Sequence, residues 1–407
     1  MTQARVAIDE RIAKVLKRDA CSGCGACALL DSGLTMALDA AGYARPARTG
    51  PSTARADAGH TFDKVCPGVQ VRAPRLPQQR VHPIFGPYIE VWRAWAADPE
   101  VRDAGSSGGT LTALNIWLLD TGQAHRVTGA AAGPNPRRTV PVTIMSRDAA
   151  LRAAGSRYAP VGAASNPDVQ TAGTVAVGKP CEVSALRALA STDEARPDSL
   201  LLSFFCAGTP SSLATDALID KLGFDTDVVP DALWYRGHGW PGEFTVRVGN
   251  ESRSTSYNDS WGKTLGPTTQ WRCKVCVDGT GEAADIVAAD SWRSDENGYP
   301  VFDEESGMSA LIARTPRGQA IIRAAIEAGA LVAEPFALEE LESVQPLQVD
   351  RRVYLLPRMI GSLLAGRKAP RYPGYLGTLV KSMLRHPRLS LRVARGTLRR
   401  VRTQDRS

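Results

Sequence analysis

The most constraining feature of this 407-residue chain is Cys21-Ser22-Gly23-Cys24-Gly25-Ala26-Cys27, three cysteines at i, i+3 and i+6, with a fourth, Cys66, directly followed by Pro67. In a reducing compartment, clustered cysteines bind metal or carry redox chemistry rather than form structural disulfides. In two-cluster bacterial ferredoxins, three thiolates spaced in this way ligate one cluster, and a Cys-Pro from the second repeat supplies its fourth ligand. The present chain keeps one complete set of four and lacks the second repeat's own spaced cysteines. The small residues between the ligands let the backbone wrap closely and aim its N–H groups at sulfur. Zinc fits less well, because a zinc knuckle presents two C-x2-C pairs. These four cysteines are therefore expected to hold a [4Fe-4S] cluster.

Four further cysteines follow: Cys181 in GKPCEVSAL, Cys206 in LSFFCAG, and the pair Cys273 and Cys276 in WRCKVC. Cys181 and Cys206 each come after a short apolar run that reads as a buried strand, which places both at strand ends. A C-x2-C pair from a distant loop would complete a second set of four. Spacing leaves open the alternative that Cys181 and Cys206 are ordinary buried cysteines.

Apolar residues (43%) and charged residues (22%) occur at the frequencies of a folded globular chain. The length fits two or three domains. No run approaches the roughly 18 apolar residues that span a bilayer, and the charged N-terminus lacks a signal-peptide core, so a cytoplasmic chain is expected. The net charge of +7 is uneven: residues 351–407 carry fifteen Lys and Arg and one acid, Asp405, while the rest is mildly acidic. The high pI therefore reflects one segment and is no argument for nucleic-acid binding. Within that segment Leu376, Leu379, Val380, Met383 and Leu384 form an apolar helical stripe, followed by an Arg-rich stretch. This pattern suits peripheral contact with an anionic membrane, at the inner face; a solvated tail or an acidic partner suits it equally.

The expected organisation is a ferredoxin-like iron–sulfur segment over 1–80, a catalytic domain over 81–350, and a basic amphipathic tail over 351–407. Strands and helices mix without regular βαβ alternation, so the fold class is α+β (mixed α/β). The loop Gly105-Ser106-Ser107-Gly108-Gly109 reads as following a strand and opening a helix. That is where backbone N–H groups cradle a phosphate or flavin edge, although a simple serine cap is the commoner use of such residues. Gly237-His238-Gly239-Trp240-Pro241-Gly242 matches a dinucleotide fingerprint in letters only, because Pro241 interrupts it and a strand follows. It reads as a turn. No nucleophile elbow, P-loop or histidine metal spacing is present, and no catalytic residue is assigned.

Taken in order, GSSGG with its helix, GSRY, GKPCEVSAL, FFCAG, YRGHGWPG, CKVCVDGTGEAADI and AADSW resemble the coenzyme F420 hydrogenase/dehydrogenase beta-subunit family. That family of iron–sulfur flavoproteins includes deazaflavin-reducing beta subunits and ferredoxin-dependent chlorophyll(ide) reductases. The likeness runs from about Cys21 to Gly329. It implies a non-Rossmann flavin-binding mixed-sheet domain, FAD, and two [4Fe-4S] clusters, with Cys181, Cys206, Cys273 and Cys276 as the second ligand set. It also implies that Ser106, Ser107, Gly108, Gly109, Ser156, Arg157 and Tyr158 lie at the flavin, with Arg157 or Lys179 supplying positive charge. Trp240, Trp261 and Trp271 are candidates to line the open flavin face, or to be packing aromatics. Glu182 and Ala289 depart from the residues expected of the family, Gln and Gly. The implied activity is an oxidoreductase that passes electrons between clusters and, through FAD, a two-electron partner such as coenzyme F420. The rival readings are a ferredoxin-dependent reductase of an organic metabolite and a non-catalytic electron-transfer subunit.

Overall fold

The computed structural model describes residues 2–72, 75–192, 198–225, 227–291 and 306–404. Trp292, the last residue of the AADSW motif, lies outside them. Short aliphatic runs become strands: Glu90–Ala96 (β1), Arg126–Ala132 (β2), Thr139–Ile144 (β3), Thr174–Gly178 (β4), Leu200–Phe204 (β5), Ile286–Asp290 (β6), Ser309–Ala313 (β7) and Leu331–Pro335 (β8). They form one mixed sheet in the order β8-β1-β7-β6-β5-β4-β2-β3. β2, β4, β5 and β6 run parallel, and the remaining pairings are antiparallel.

The central strands are buried on both faces, which explains their unbroken apolar sequences. One face packs on the helices Thr110–Asp120 and Pro316–Glu327 through Leu114, Leu118 and Ile322. The other packs on Val183, Leu341 and Val344 from the helices Pro180–Ala190 and Glu340–Val344. A three-stranded sheet of Ala232–Trp234, Phe244–Val248 and Glu251–Thr255 stands beside this body with its own core around Tyr235 and Phe244. The glycine-rich letters at 237–242 form the turn between its first two strands.

At the N-terminus, Leu34–Leu38 and Ala44–Arg48 pair as a hairpin against the helices Thr2–Lys17 and Ala58–Val65. The basic C-terminal segment is integrated into the body. Residue 351 falls within the helix Pro346–Leu364, and Arg351 of that helix donates to the carbonyls of Cys206 (2.7 Å) and Ala207 (2.9 Å). Leu355, Leu379 and Val401 pack with Trp271, Val275 and Val277, so the three C-terminal helices back the Cys273/Cys276 loop.

Candidate functional site

In parallel strands all carboxyl ends lie at one edge of the sheet, the usual place for ligands in open α/β sheets. β4 ends at Gly178, from which Lys179-Pro180-Cys181 turns into a helix, and β5 ends at Phe204, two residues before Cys206. Their parallel pairing brings the two cysteines together, as their strand-end positions in the sequence suggest. Cys206 lies within electrostatic reach of Cys273, and Cys181 within reach of Cys206. The amide of Thr209 donates to Cys273 Sγ (3.4 Å) and the amide of Gly208 points at Cys206. As a free thiol, Cys276 donates to the Asp278 carbonyl at 3.0 Å, a bond that thiolate ligation would end.

The first four cysteines line a small apolar pocket with Ile12, Val15, Phe62 and Val65. Gly23 (φ +71°) and Gly25 (φ +89°) adopt left-handed backbone conformations that carry the chain from one cysteine to the next. A Cβ at Gly25 would stand 2.7 Å from the Gly162 carbonyl oxygen, so the turn admits only glycine. Backbone amides of Gly23, Ala26, Gly68 and Val69 address the sulfurs of Cys21, Cys24 and Cys66. Burial pushes the Cys24 thiol up to about 11 and Cys206 to about 12. Metal ligation must therefore displace protons from these sites. Among the described residues, no three His, Cys, Asp or Glu are gathered tightly enough to share one metal ion. In a four-iron cluster each thiolate binds its own iron, so the sulfurs stand further apart than around a tetrahedral zinc.

The two cysteine sets adjoin. Cys24 and Cys181 belong to one packed cluster with Ala164 and Ala185, and Cys181 lies within electrostatic reach of Cys24. Buried Arg272 sits between the sets: its Nη2 donates to the Pro67 carbonyl at 2.9 Å, and its charge reaches Cys276, Cys181, Cys273 and Cys21. Gln270 clamps the same junction, donating to the Ser22 carbonyl (3.0 Å) and accepting from Arg45 Nη1 (2.9 Å).

Beyond Cys206 opens a cavity of about 490 Å³, bounded by β2, β4 and the ends of β5 and β6. This is within the range of ligand pockets, about 300–1,000 Å³. Ser106, Ser107, Gly109, Ser156, Arg157, Tyr158 and Lys179 all line it. Gly108 does not. Its amide donates to Ser309 Oγ (3.0 Å), its carbonyl accepts from Ala96 N (2.6 Å), and it is packed against β1. The loop also departs from the expected strand–loop–helix order, since a short helix, Pro99–Ala104, intervenes after β1.

Several expected donors are already committed within the protein. Ser106 Oγ accepts from the Ser156 amide, and Ser107 Oγ donates to the Met308 carbonyl (2.6 Å). The Arg157 guanidinium is turned into the wall, donating to Thr139 Oγ1 (2.8 Å) and to the carbonyls of Leu233 (3.0 Å) and Pro136 (2.6 Å). Lys179 Nζ is buried between the Val161 carbonyl and Glu182 Oε1, 2.7 Å from each. Burial opposes its charge, but Glu182 and Cys181 overcome that and hold the ammonium above its usual range. Glu182 also accepts from the amides of Lys179 and Ala163, which gives the departure from Gln a structural reason: a neutral amide would leave the buried ammonium uncompensated. Among the three tryptophans, Trp261 lines the cavity against Tyr158 (ring centroids 4.7 Å), whereas Trp240 and Trp271 are core residues.

Arg236 was not foreseen from the sequence. Almost wholly buried, it lines the cavity and pairs with Asp290 (2.7 Å). It also donates to the carbonyls of Ser106 (2.5 Å) and Pro241 (2.8 Å) and to Tyr158 OH (3.3 Å). Its only signal in the sequence was its place beside the glycine-rich turn. Two buried polar atoms in the lining, Thr110 Oγ1 and Asn115 Oδ1, have no protein partner. Such orphans are costly unless a ligand or water meets them.

Residues 91–166 match the N-terminal region, and residues 173–339 the C-terminal region, of the family described as coenzyme F420 hydrogenase/dehydrogenase, beta subunit. The first cysteine set precedes both ranges. The chain is 25% identical over 276 residues to the coenzyme F420 hydrogenase subunit beta of Methanothermobacter thermautotrophicus, covering 65% of this chain and 88% of that relative. To the F420-dependent formate dehydrogenase 1 subunit beta of Methanococcus maripaludis it is 29% identical over 143 residues, 34% of this chain and 36% of the relative. A chain of the F420-reducing [NiFe] hydrogenase complex from Methanosarcina barkeri shares the fold, with a TM-score of 0.54 at 21% identity, covering 72% of this chain and 99% of that one.

Proposed function

The chain belongs to the coenzyme F420 hydrogenase/dehydrogenase beta-subunit family, and from that premise we propose an electron-transferring oxidoreductase with two [4Fe-4S] clusters and one FAD. Cys21, Cys24, Cys27 and Cys66 hold one cluster; Cys181, Cys206, Cys273 and Cys276 hold the other. The cavity beyond Cys206 takes the flavin and presents it to coenzyme F420, with a ferredoxin-type protein as the one-electron partner.

One observation carries this reading: the two thiol sets and the cavity are contiguous. Cys24 packs with Cys181, and Cys206 both belongs to the second set and lines the cavity. FAD accepts or gives electrons singly or in pairs, which is the chemistry needed between iron–sulfur centres and a hydride carrier. The chain's own residues supply the holding groups. Gly109, left-handed at φ +69°, leads into the helix whose first residue, Thr110, offers a free hydroxyl. Arg236 fixes the Ser106 carbonyl and the Asp290 carboxylate in the wall, and Tyr158 and Trp261 give an aromatic surface for a planar ring. Arg157 and Lys179 act as braces, since their charges are spent on carbonyls and on Glu182.

Anaerobic purification with iron, sulfide and flavin counted per chain tests the assignment. About eight irons and one flavin support it; about four irons remove the second cluster, and zinc in place of iron overturns the redox reading. Oxidation of reduced F420 by the flavin-loaded protein supports the deazaflavin partner, and its absence with flavin bound turns the assignment toward another two-electron substrate.

A further inference from the structure

The two C-terminal helices, Leu376–Arg385 and Pro387–Gln404, contain no acidic and no aromatic residue. On the second helix Arg388, Arg392, Arg395, Arg399 and Arg402 recur at i, i+4, i+7, i+11 and i+14, and all five are exposed. At 1.5 Å per residue this is one row about 20 Å long. Among the described residues none of the five is ion-paired with a carboxylate.

Large aliphatic side chains are also exposed on these two helices. Leu376 is 64% exposed, Leu384 66% and Leu391 52%, although Leu379 and Val401 of the same helices are fully packed into the body. Each helix therefore spends one apolar edge on the fold and leaves another open to solvent. On Leu376–Arg385 the open edge is Leu376 and Leu384, with half-buried Val380 and Met383 on the same stripe and exposed Lys381 and Arg385 flanking it. No helix of the described residues is long and apolar enough to cross a membrane.

We propose that these helices seat the protein on an anionic phospholipid surface, with the arginine row at the headgroups and Leu376, Leu384 and Leu391 in the outer acyl region. Exposed aliphatic groups on the same pair of helices as arginines that pair with no carboxylate match a surface with an anionic skin and an apolar interior. A nucleic acid would satisfy the arginines but offer the leucines nothing, and its usual stacking aromatics are missing. The helices pack behind the Cys273/Cys276 loop, so the seat also fixes how that loop stands relative to the lipid.

The test is co-sedimentation of the full-length, anaerobically purified protein with phosphatidylcholine vesicles and with the same vesicles carrying phosphatidylglycerol. Binding is expected only to the anionic vesicles and is expected to fall as salt rises. The triple variant R392Q/R395Q/R399Q should lose affinity about a hundredfold, at roughly fivefold per arginine. L376S/L384S should lose about tenfold at unchanged charge. All five positions are exposed, so melting curves and iron content should match wild type. Equal binding to both vesicle types, no binding to either, or an unchanged L376S/L384S variant overturns the proposal. Retention by random duplex DNA or polyglutamate without retention by anionic vesicles does the same.

Discussion

Replacing Arg236 with methionine is the sharpest perturbation of the cavity wall. The guanidinium pairs with Asp290 at 2.7 Å, donates to the carbonyls of Ser106 and Pro241, and lies 5.0 Å from the Tyr257 ring centroid and 5.1 Å from that of Trp240. Methionine keeps much of the volume but leaves Asp290 and two carbonyls without their donor. Removing one partner of a buried ion pair costs about 3–5 kcal/mol when the remaining charge is stranded, and Asp290, 23% exposed in the cavity wall, puts R236M at the lower end of that range. D290N should cost less, about 1–3 kcal/mol, because Arg236 retains its carbonyl acceptors. The double variant R236M/D290N should therefore cost less than the sum of the two, with a coupling of about 1–3 kcal/mol. Urea unfolding of all four proteins under anaerobic conditions measures the cycle, and flavin content per chain reads the wall directly. R236M should lose most of its flavin, since the Ser106 carbonyl anchors the loop that leads to Thr110. A cost below about 1 kcal/mol with full flavin occupancy would refute the argument that this clasp shapes the site.

Three further outcomes follow from named contacts. G25A should cost at least about 2 kcal/mol and about four irons, because φ +89° disfavours a side chain and the added Cβ meets the Gly162 carbonyl at 2.7 Å. G122A, also left-handed but with open space around it, should keep its iron; equal iron in both variants contradicts the steric account. T110V removes a buried hydroxyl with no protein partner, so the flavin-free protein should be as stable as wild type while flavin affinity falls about tenfold, read by fluorescence titration. Asp31 accepts from Arg48 (2.8 Å), Ser52 (2.7 Å) and the amides of Gly33 and Thr53 (3.0 Å each), which together outweigh its burial and hold its carboxyl well below the ordinary range. A depressed carboxylate gives stability that is present above its unfolded value and lost as pH falls towards its folded one. D31N should thus weaken the N-terminal segment by about 2 kcal/mol at pH 7, and the gap to wild type should begin to narrow below about pH 4 and go on narrowing as pH falls towards the depressed folded value, followed by circular dichroism because iron–sulfur clusters are acid-labile. A gap that persists in acid would contradict the assignment.

Much of the candidate site was legible because its parts are local. The spacing of the first three thiols and the intervening glycines are properties of seven consecutive residues, and a cysteine one to three residues past an apolar run lies at a strand end whatever else the chain does. The family resemblance likewise rode on short motifs in order. The direction of a long side chain was not legible. Arg157 and Lys179 belong to the cavity wall, but which carbonyl or carboxylate each charge meets depends on segments distant in sequence, such as Leu233 for Arg157. Arg236 escaped notice for the same reason, since its partners Ser106 and Asp290 lie far from it along the chain. The C-terminal segment looked like an appendage because charge dominates its composition, while the few apolar residues that seat it, Leu355, Leu379 and Val401, find their partners only in the fold.

The sequence by itself determined the spacing of the first cysteines, the small residues between them, and the strands that end beside Cys181 and Cys206, all of them short-range consequences of covalent geometry and apolar patterning. Tertiary structure alone decided that the two cysteine sets adjoin, that a cavity opens at Cys206, and that Gly108 is excluded from it. Those juxtapositions arise from strand order and sheet register, which pair segments separated by tens to hundreds of residues and which no local pattern encodes.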